Sequence, residues 1–270
     1  MDAQKSLLER ALLESAQITR YAVKDRQPDP GHVVLSTHGE VAFIEKGLRV
    51  WQLDLSQERP LQPGDSQTPH TCVDAQWLNT QQALESDVEV VHGGSANTFG
   101  GVGALLVPDG FHIPTVLATP ENVAHYGLQL LKNHQQFAIS SPQHPIIMMR
   151  YDYSKDYKQE FLMKEYGGGG IFVETHNFPH IHIPVSPSCG GYIVIGKAVE
   201  AHQYHFTAFQ IPYGFALYTP ANTIHGDGTL VGEYALTVAD SAMVTADTVL
   251  MYNENTRRMA HQVVPDWQPK

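Results

Sequence analysis

The pattern of apolar and polar positions changes near residue 145. Beyond this point, short apolar runs recur about every ten residues and are separated by turns, a spacing typical of all-β domains. The runs are PIIMMRYDY, IFVETH, GYIVIGKAVE, YHFTAFQIP, GFALYTP, LVGEYALTVAD and DTVLMYN. About eight strands without intervening helices are typical of a β-barrel or jelly roll. We therefore predict that residues 146–253 form one mainly β domain.

The pattern before residue 145 is mixed. Residues 3–20 place Leu, Ala and Ile near helical spacing with charges between them, which predicts an amphipathic helix that ends before the turn at residues 28–31. Short apolar runs follow at residues 33–35, 41–44 and 48–53. Their separation by glycines and polar turns predicts additional strands.

One further helix is predicted near residues 120–136. Thr119 followed by Pro120 and Glu121 is a favourable helix start, and the segment ENVAHYGLQLLKNHQQF fits about four helical turns.

These patterns divide the chain into four parts. These are an N-terminal helical extension (1–30), strands and a helix that pack on the barrel or form a degenerate second barrel (31–145), the barrel itself (146–253), and a polar, loosely held tail (254–270).

A candidate metal site lies at the start of the β-rich half. His176, His180 and His182 fall within seven positions of an apolar segment. In a strand, His180 and His182 would leave the same face, and two imidazoles on one face form half of a transition-metal site. A third ligand must come from a neighbouring strand, and His225 follows a turn downstream. The alternative is a pair of exposed or hydrogen-bonded histidines.

The histidine pair lies in a stretch that resembles the first motif of the cupins, written G-x5-HxH-x3,4-E-x6-G. His180 and His182 match the histidine pair, and Gly196 matches the closing glycine. Cys189 stands where the motif has its glutamate, and the spacing from the histidines to that position is two or three residues longer than in the motif. The resemblance therefore implies the fold but leaves the fourth ligand open.

The stretch that begins at Gly214 resembles the second cupin motif, G-x5-PxG-x2-H-x3-N. Gly214, Pro220 and His225 fall at its spacing, and Asn222 replaces its last glycine. Asn tolerates the left-handed backbone conformation that glycine supplies. The resemblance implies a cupin-type β-barrel or jelly roll in which His180, His182 and His225 hold a divalent transition metal, with Fe(II) favoured over Zn, Mn or Ni. Candidates for a fourth ligand are His176, Glu174 and Cys189.

The implied site suggests several reactions. Three neutral histidines leave open positions on a divalent metal, which suits oxygen activation by Fe(II) or carbonyl polarisation by Zn, Mn or Ni. We expect a metal-dependent enzyme that acts on a small polar metabolite, with a dioxygenase slightly favoured. The alternatives are an isomerase, epimerase or lyase of a sugar or organic acid, and a small-ligand-binding cupin without turnover. Candidate catalytic residues that would share the barrel mouth are Glu174, His176, Lys197 and Tyr218.

Composition limits the partners. The formal net charge is −11 and the pI about 5.7, which argues against nucleic acid or an anionic membrane as a partner. Two cysteines are too few for a disulfide framework. No run approaches the roughly 18 apolar residues of a transmembrane helix, and the N-terminus lacks the apolar core of a signal peptide. We expect a cytoplasmic protein with a small-molecule substrate that forms, as many cupins do, a homodimer.

Overall fold

The apolar runs beyond residue 145 are strands, and the protein is mainly β. The computed structural model describes residues 18–55, 68–88, 102–164, 170–239 and 244–269. Within these ranges, 15 strands form one hydrogen-bonded sheet, and two further strands pair with each other. None of the helices in these ranges is long and apolar enough to cross a lipid bilayer.

The strands fall on both sides of residue 145. The earlier ones are β1 (Thr19–Lys24), β2 (Gln27–Ile44), β3 (Gly47–Gln52), β4 (Thr71–Asp74), β5 (Gln76–Leu78), β6 (Gly103–Val107), β7 (Thr115–Leu117), β8 (Gln129–Lys132) and β9 (Gln136–Ser141). The later ones are β10 (Ile146–Tyr153), β11 (Phe172–His176), β12 (His180–Pro184), β13 (Gly190–Glu200), β14 (Gln203–Gln210), β15 (Phe215–Thr219), β16 (Ile224–Val238) and β17 (Ala246–Asn253). The helical elements are α1 (Thr80–Glu85), α2 (Pro120–Ala124) and a π-helical segment (Lys158–Leu162).

Strand β16 joins the two halves of the large sheet. Its residues 232–238 pair with β10 and β12, and its residues 224–231 pair with β11 and β13. Gly232 lies at the change of partners with φ of +94°, a conformation that favours glycine. The first half continues through β2 and β1 on one side and β15 and β8 on the other. The second half continues through β17, β6 and β5 on one side and β14, β4 and β7 on the other.

Both halves contribute to one apolar core. Met149 and Leu236 from the first half and Val173, Ile195 and Phe206 from the second belong to a single cluster of buried side chains. Alternation along the strands produces this burial, as in β9, where every second side chain is buried. The strand pairing among the described residues gives a large sheet and does not close into a barrel.

The predicted helix at 120–136 is mostly wrong. Only Pro120–Ala124 is helical, with Thr119 as the N-cap whose hydroxyl accepts a hydrogen bond from the Asn122 backbone N–H at 3.2 Å. A turn at residues 125–128 ends the helix, and the following apolar run becomes β8, which pairs with β15. Pairing with a sheet therefore overrides the helical spacing of these residues.

The N-terminal region joins the main sheet. The predicted helix at residues 3–20 falls almost entirely outside the described residues, but from Thr19 onward the chain is strand and not a helical extension. Strand β1 pairs with β2 through a turn at Asp25 and Arg26, and β2 pairs with β10. The strands of residues 31–145, apart from β3 and β9, likewise belong to the same sheet as residues 146–253.

The tail beyond residue 253 packs on the sheet and is not loosely held. Val263 and Val264 are fully buried in the main core. Lys158 Nζ donates to the backbone carbonyl of Val264 at 2.5 Å and forms an ion pair with Asp266 at 2.6 Å. Two adjacent valines in a polar segment are enough to anchor it, because each removes its side chain from water.

This packing predicts a cost for truncating the buried tail valines. Val264→Ala is expected to lower the free energy of unfolding by about 2 kcal/mol, because it removes buried methyl groups and leaves a cavity. Val50→Ala, at a side chain that is 69% exposed, is the matched control and should have little effect. Urea unfolding of both variants measures the difference. Equal changes in the free energy of unfolding for the two variants would contradict the packing of the tail.

Candidate metal centre

Four side chains from three strands meet at one point. Glu174 and His176 are two apart on β11 and leave the same face, His180 begins β12, and His225 is the second residue of β16. Their ligand atoms all lie within 4.8 Å of one another. Glu174 lies directly opposite His225 in the pairing of β11 with β16. This pairing brings together residues that are far apart in the sequence.

A glycine permits this close strand pairing. Gly226 follows His225, and a Cβ atom at this position would lie 2.1 Å from the backbone oxygen of Phe172. Any larger residue would push β11 away from β16 and separate Glu174 from His225. The turn before β16 has the expected geometry, because Asn222 has φ of +63°, and its backbone N–H donates to the carbonyl of His176 at 2.8 Å.

The Nε2 atoms of the three histidines converge. His176 Nε2 lies 2.8 Å from His180 Nε2 and 3.2 Å from His225 Nε2. Glu174 Oε1 lies 3.8 Å from His225 Nε2. Ligand atoms at about 2.1 Å from one ion are about 3 Å apart in adjacent octahedral positions and somewhat further apart in tetrahedral ones. The observed separations therefore match those of ligands to a shared ion.

The opposite ring nitrogens explain why the Nε2 atoms are available. Each Nδ1 faces a backbone carbonyl, and the pairs are His176 with Phe178 at 2.9 Å, His180 with Thr237 at 2.6 Å and His225 with Thr223 at 2.9 Å. A carbonyl can only accept, so each Nδ1 carries the proton, and each neutral ring presents a lone pair at Nε2. Three facing lone pairs cannot bond to one another without a proton or a cation between them.

Burial disfavours the proton. Desolvation, with a smaller contribution from the neighbouring His225, lowers the pKa of His176 to about 2. Desolvation, followed by the effect of His176, holds the pKa of His180 well below its usual value. A divalent cation is therefore the better partner for the three rings, because it needs neutral imidazole ligands.

Glu174 supplies the carboxylate of the group. Burial raises its pKa, and the neighbouring His225 opposes that shift. Thr248 Oγ1 donates to Glu174 Oε2 at 3.0 Å, so the other oxygen, Oε1, is the one that faces His225. Three imidazoles and one carboxylate form a donor set that suits Fe(II), Mn(II), Zn(II) or Ni(II).

The structure brings together some of the predicted ligands and not others. His180 and His225 are in the group, as are Glu174 and His176, which the sequence suggested as additional ligands. His182 is not in it. Its ring is fully buried, its centroid lies 5.3 Å from that of His180, and neither ring nitrogen has a hydrogen-bond partner among the described residues. A two-residue step along a strand displaces a side chain by about 6.6 Å, which places His182 beyond the convergence point.

The other predicted site residues lie elsewhere. Cys189 Sγ donates to a backbone carbonyl of β16 at 3.0 Å. Lys197 Nζ donates to the backbone carbonyl of His125 at 2.8 Å, away from the four-residue group. Tyr218 lies opposite Ile181 in the pairing of β12 with β15, and both pack in the smaller apolar cluster on the other face of β12.

A cavity of about 370 Å³ lies against the four-residue group, and Glu174, His176 and His180 form part of its wall. Apolar side chains form much of the rest of the wall. The polar side chains that line it are Arg20, Tyr151, Tyr153, Tyr157, Asp227 and Thr248. Tyr153 Oη donates to Asp227 Oδ2 at 2.5 Å, and the Arg20 guanidinium lies 5.3 Å from the centre of the Phe161 ring. Such a cavity has the size of a small-molecule site.

Sequence reasoning did not find the polar residues of the cavity. Asp227 carried a usable signal, because it is two residues from His225 and shares its face of β16. Tyr151 and Tyr153 alternate in the same way along β10. The sequence did not indicate Arg20 as a site residue, because it lay at the end of a predicted helix, and its burial in the fold depends on tertiary contacts such as that with Phe161.

Comparison of the chain with protein-family models, with curated proteins and with solved structures found no match in any of the three. The functional assignment therefore depends on the geometry of the site.

Exchange of single histidines distinguishes the two possible ligand sets. His176→Asn is expected to weaken the binding of the buried divalent ion by more than the roughly 10- to 100-fold that is typical for loss of an outer-shell partner. His182→Asn, the matched control two residues beyond His180, should leave the affinity nearly unchanged. Calorimetric titration of metal into untagged, chelator-treated protein measures both. If His182→Asn lost metal affinity and His176→Asn retained it, the result would instead support His180 and His182 as the ligand pair.

The buried rings also predict acid sensitivity of the metal-free protein. Burial lowers the pKa of His182 from 6.5 to about 3. The unfolded state therefore binds the proton first, and stability present at pH 7 is lost as the pH falls from 6.5 towards 3. For this ring the loss between pH 7 and pH 5 is at most about 2 kcal/mol.

His182→Leu should remove that part of the pH dependence. Urea unfolding at pH 7 and pH 5, in the presence of a chelator, measures the slope for the wild-type protein and for the variant. An unchanged slope would show that His182 is protonated equally in the folded and unfolded states.

Proposed function

We propose that the protein is a metal-dependent enzyme of cupin type that acts on a small, carboxylate-bearing metabolite, with dioxygenation as the favoured reaction. The observation that carries this proposal is the convergence of three Nε2 atoms beside a cavity. The residues that would hold the metal are Glu174, His176, His180 and His225. Bound Fe(II) would supply oxygen activation, whereas a redox-inert divalent ion would supply carbonyl polarisation.

The resemblance to the cupins supports the same assignment. The donor set is three histidines and one glutamate, which is the residue composition of the cupin motifs. The positions differ, because Glu174 precedes the histidines in this chain and His176 takes part in place of His182. The carboxylate that is missing at Cys189 is thus available from another strand.

The charge of the site favours an anionic substrate. Among the described residues that line the cavity or face the ion position, Arg20 contributes one positive charge, and Glu174 and Asp227 contribute at most two negative charges. A divalent ion would add two positive charges. Burial raises the pKa of Asp227, which makes the negative contribution smaller still. A buried net positive charge is costly unless an anion compensates it. A substrate carboxylate would provide that compensation, and a guanidinium binds a carboxylate through two parallel hydrogen bonds.

The residues of the chain have separate tasks in this proposal. Arg20 binds and orients the substrate carboxylate. Leu35, Phe172 and Leu236 line the cavity and exclude water from it. Their apolar surface suits dioxygen, an apolar co-substrate, and this favours the dioxygenase over reactions that need only a polarised carbonyl.

The hydrogen-bonded pair of Tyr153 and Asp227 favours an alternative. A buried carboxyl group with a raised pKa can hold a proton near neutral pH and transfer it to a substrate. An isomerase or lyase that acts on an organic acid would use this pair for proton transfer, with Glu174 and the histidines as metal ligands. The two reactions differ in their need for oxygen.

Oxygen uptake separates the two reactions. Protein loaded with Fe(II) under anaerobic conditions is mixed with oxygen and a panel of small carboxylates and their uncharged amide analogues, and we expect oxygen consumption with carboxylates only. Oxygen-independent turnover with Mn(II) or Zn(II) would support the isomerase or lyase instead. Metal binding and thermal stabilisation by a carboxylate, without turnover of any panel member, would contradict both and indicate a binding protein.

The role of Arg20 has its own prediction. Arg20→Met should lower kcat/KM for the carboxylate substrate by roughly 10- to 100-fold, mainly through KM, because a charged hydrogen bond is lost. Arg49→Met, on the exposed strand β3, is the matched control. Retention of bound metal by Arg20→Met shows that the site is still folded. An unchanged KM in that folded variant would exclude Arg20 as the carboxylate-binding residue.

A further inference from the structure

A second group of histidines lies outside the buried centre. His70, His125 and His205 place one ring nitrogen each within 4.8 Å of one another. His70 precedes β4, His125 follows α2, and His205 lies within β14. His70 is exposed, and the other two are half-buried. The group shares no residue with the site described above.

The geometry of His125 and His205 is that of two ligands to one ion. His125 Nε2 lies 3.3 Å from His205 Nδ1, and the two ring planes differ by 8°. Nitrogens about 2.0–2.1 Å from a tetrahedral zinc ion are about 3.3–3.4 Å apart. A hydrogen bond between the two rings would also give this distance, but it would not require a third histidine.

His70 supplies that third ring. It lies against His205 with ring centroids 4.1 Å apart, and against His125 with centroids 4.9 Å apart. Its Nδ1 donates to the backbone carbonyl of Thr68 at 2.9 Å, so its lone pair is at Nε2. The side chain is exposed, and one of its ring nitrogens lies within 4.8 Å of a ring nitrogen of each of the other two histidines.

The backbone around the three rings is held in place. Three threonine hydroxyls fix the segment that carries His70, namely Thr68 to the carbonyl of Asn122 at 3.1 Å, Thr207 to that of Pro69 at 2.7 Å and Thr71 to that of His112 at 2.8 Å. His205 is paired on both sides, with Cys72 of β4 and Lys197 of β13. The Lys197 ammonium donates to the carbonyl of His125. Ligand positions that are fixed in advance favour binding.

The charges near the group act in two directions. Burial, followed by Lys197, lowers the pKa of His125, and burial followed by His70 lowers the pKa of His205. Both shifts favour the neutral ring, whose lone pair a metal ion needs. The Lys197 ammonium also repels a cation, so binding here is expected to be weaker than at the buried centre, which includes a carboxylate.

We propose that His70, His125 and His205 form a second metal site, for a divalent ion of the imidazole-favouring class such as Zn²⁺, Cu²⁺ or Ni²⁺. The bound ion joins three segments that are distant in sequence: the approach to β4, the end of α2, and β14. Its role is structural, because it holds the approach to β4 and the end of α2 against β14. Ligands from three separate segments stabilise the folded state, since the unfolded chain does not hold them together.

Zinc titration of the metal-free protein tests this proposal. All proteins carry Cys72→Ser, which removes the exposed thiol opposite His205 as a competing donor. We expect this protein to bind two equivalents of zinc, and the His205→Asn and His70→Asn variants to bind one. His112 is an exposed histidine outside the group, and the control variant His112→Asn should still bind two. His70→Asn is exposed and is expected to fold normally, so that its loss of zinc does not reflect unfolding.

A second background separates this proposal from the proposed function. The double variant His176→Asn/His180→Asn removes the buried centre, and it should still bind one equivalent of zinc and gain thermal stability from it. Addition of His205→Asn should abolish both effects. Absence of bound zinc in the folded double variant, or zinc binding that His70→Asn and His205→Asn leave unchanged, would overturn the second site. Neither result depends on whether the buried centre is catalytic.

Discussion

The candidate site depends on three backbone carbonyls that hold the Nδ1 protons of His176, His180 and His225. These hydrogen bonds fix the tautomer of each ring and direct three lone pairs to one point. Burial then prevents a proton from occupying that point at neutral pH. A cation resolves the resulting repulsion between lone pairs. The metal hypothesis therefore follows from hydrogen bonding and burial together, and neither the count nor the spacing of histidines is sufficient to establish it.

Strand β16 makes this arrangement possible, because it belongs to both halves of the sheet. Its N-terminal part presents His225 and Asp227 to the site, and its C-terminal part supplies the Thr237 carbonyl that orients His180. Gly232, with a positive φ, lies where the two parts meet. One strand thus contributes a ligand, a cavity residue and a hydrogen-bond acceptor. The cavity beside it combines apolar walls with Arg20, and this combination is the basis for proposing a small carboxylate as the substrate.

The two histidine groups differ in composition and in surroundings. The buried group includes a carboxylate and borders a cavity, which suits catalysis. The second group, His70, His125 and His205, consists of imidazoles only and joins separate segments, which suits a structural role. Both rely on strand pairing to bring distant residues together. In the second group, His205 lies on β14 between the paired strands β4 and β13, and the end of α2 places His125 beside it.

The sequence by itself determined the mainly β character, most strand positions beyond residue 145, and the stretches that carry the buried histidines. Its local patterns also located the Thr119 cap and the left-handed Asn222. Tertiary structure decided which residues converge, because the register between β11 and β16 sets Glu174 opposite His225, and no local pattern encodes that register. It likewise made a strand of Gln129–Lys132, within the predicted helix at 120–136, and buried the tail valines, since both outcomes depend on partners that are distant in the chain.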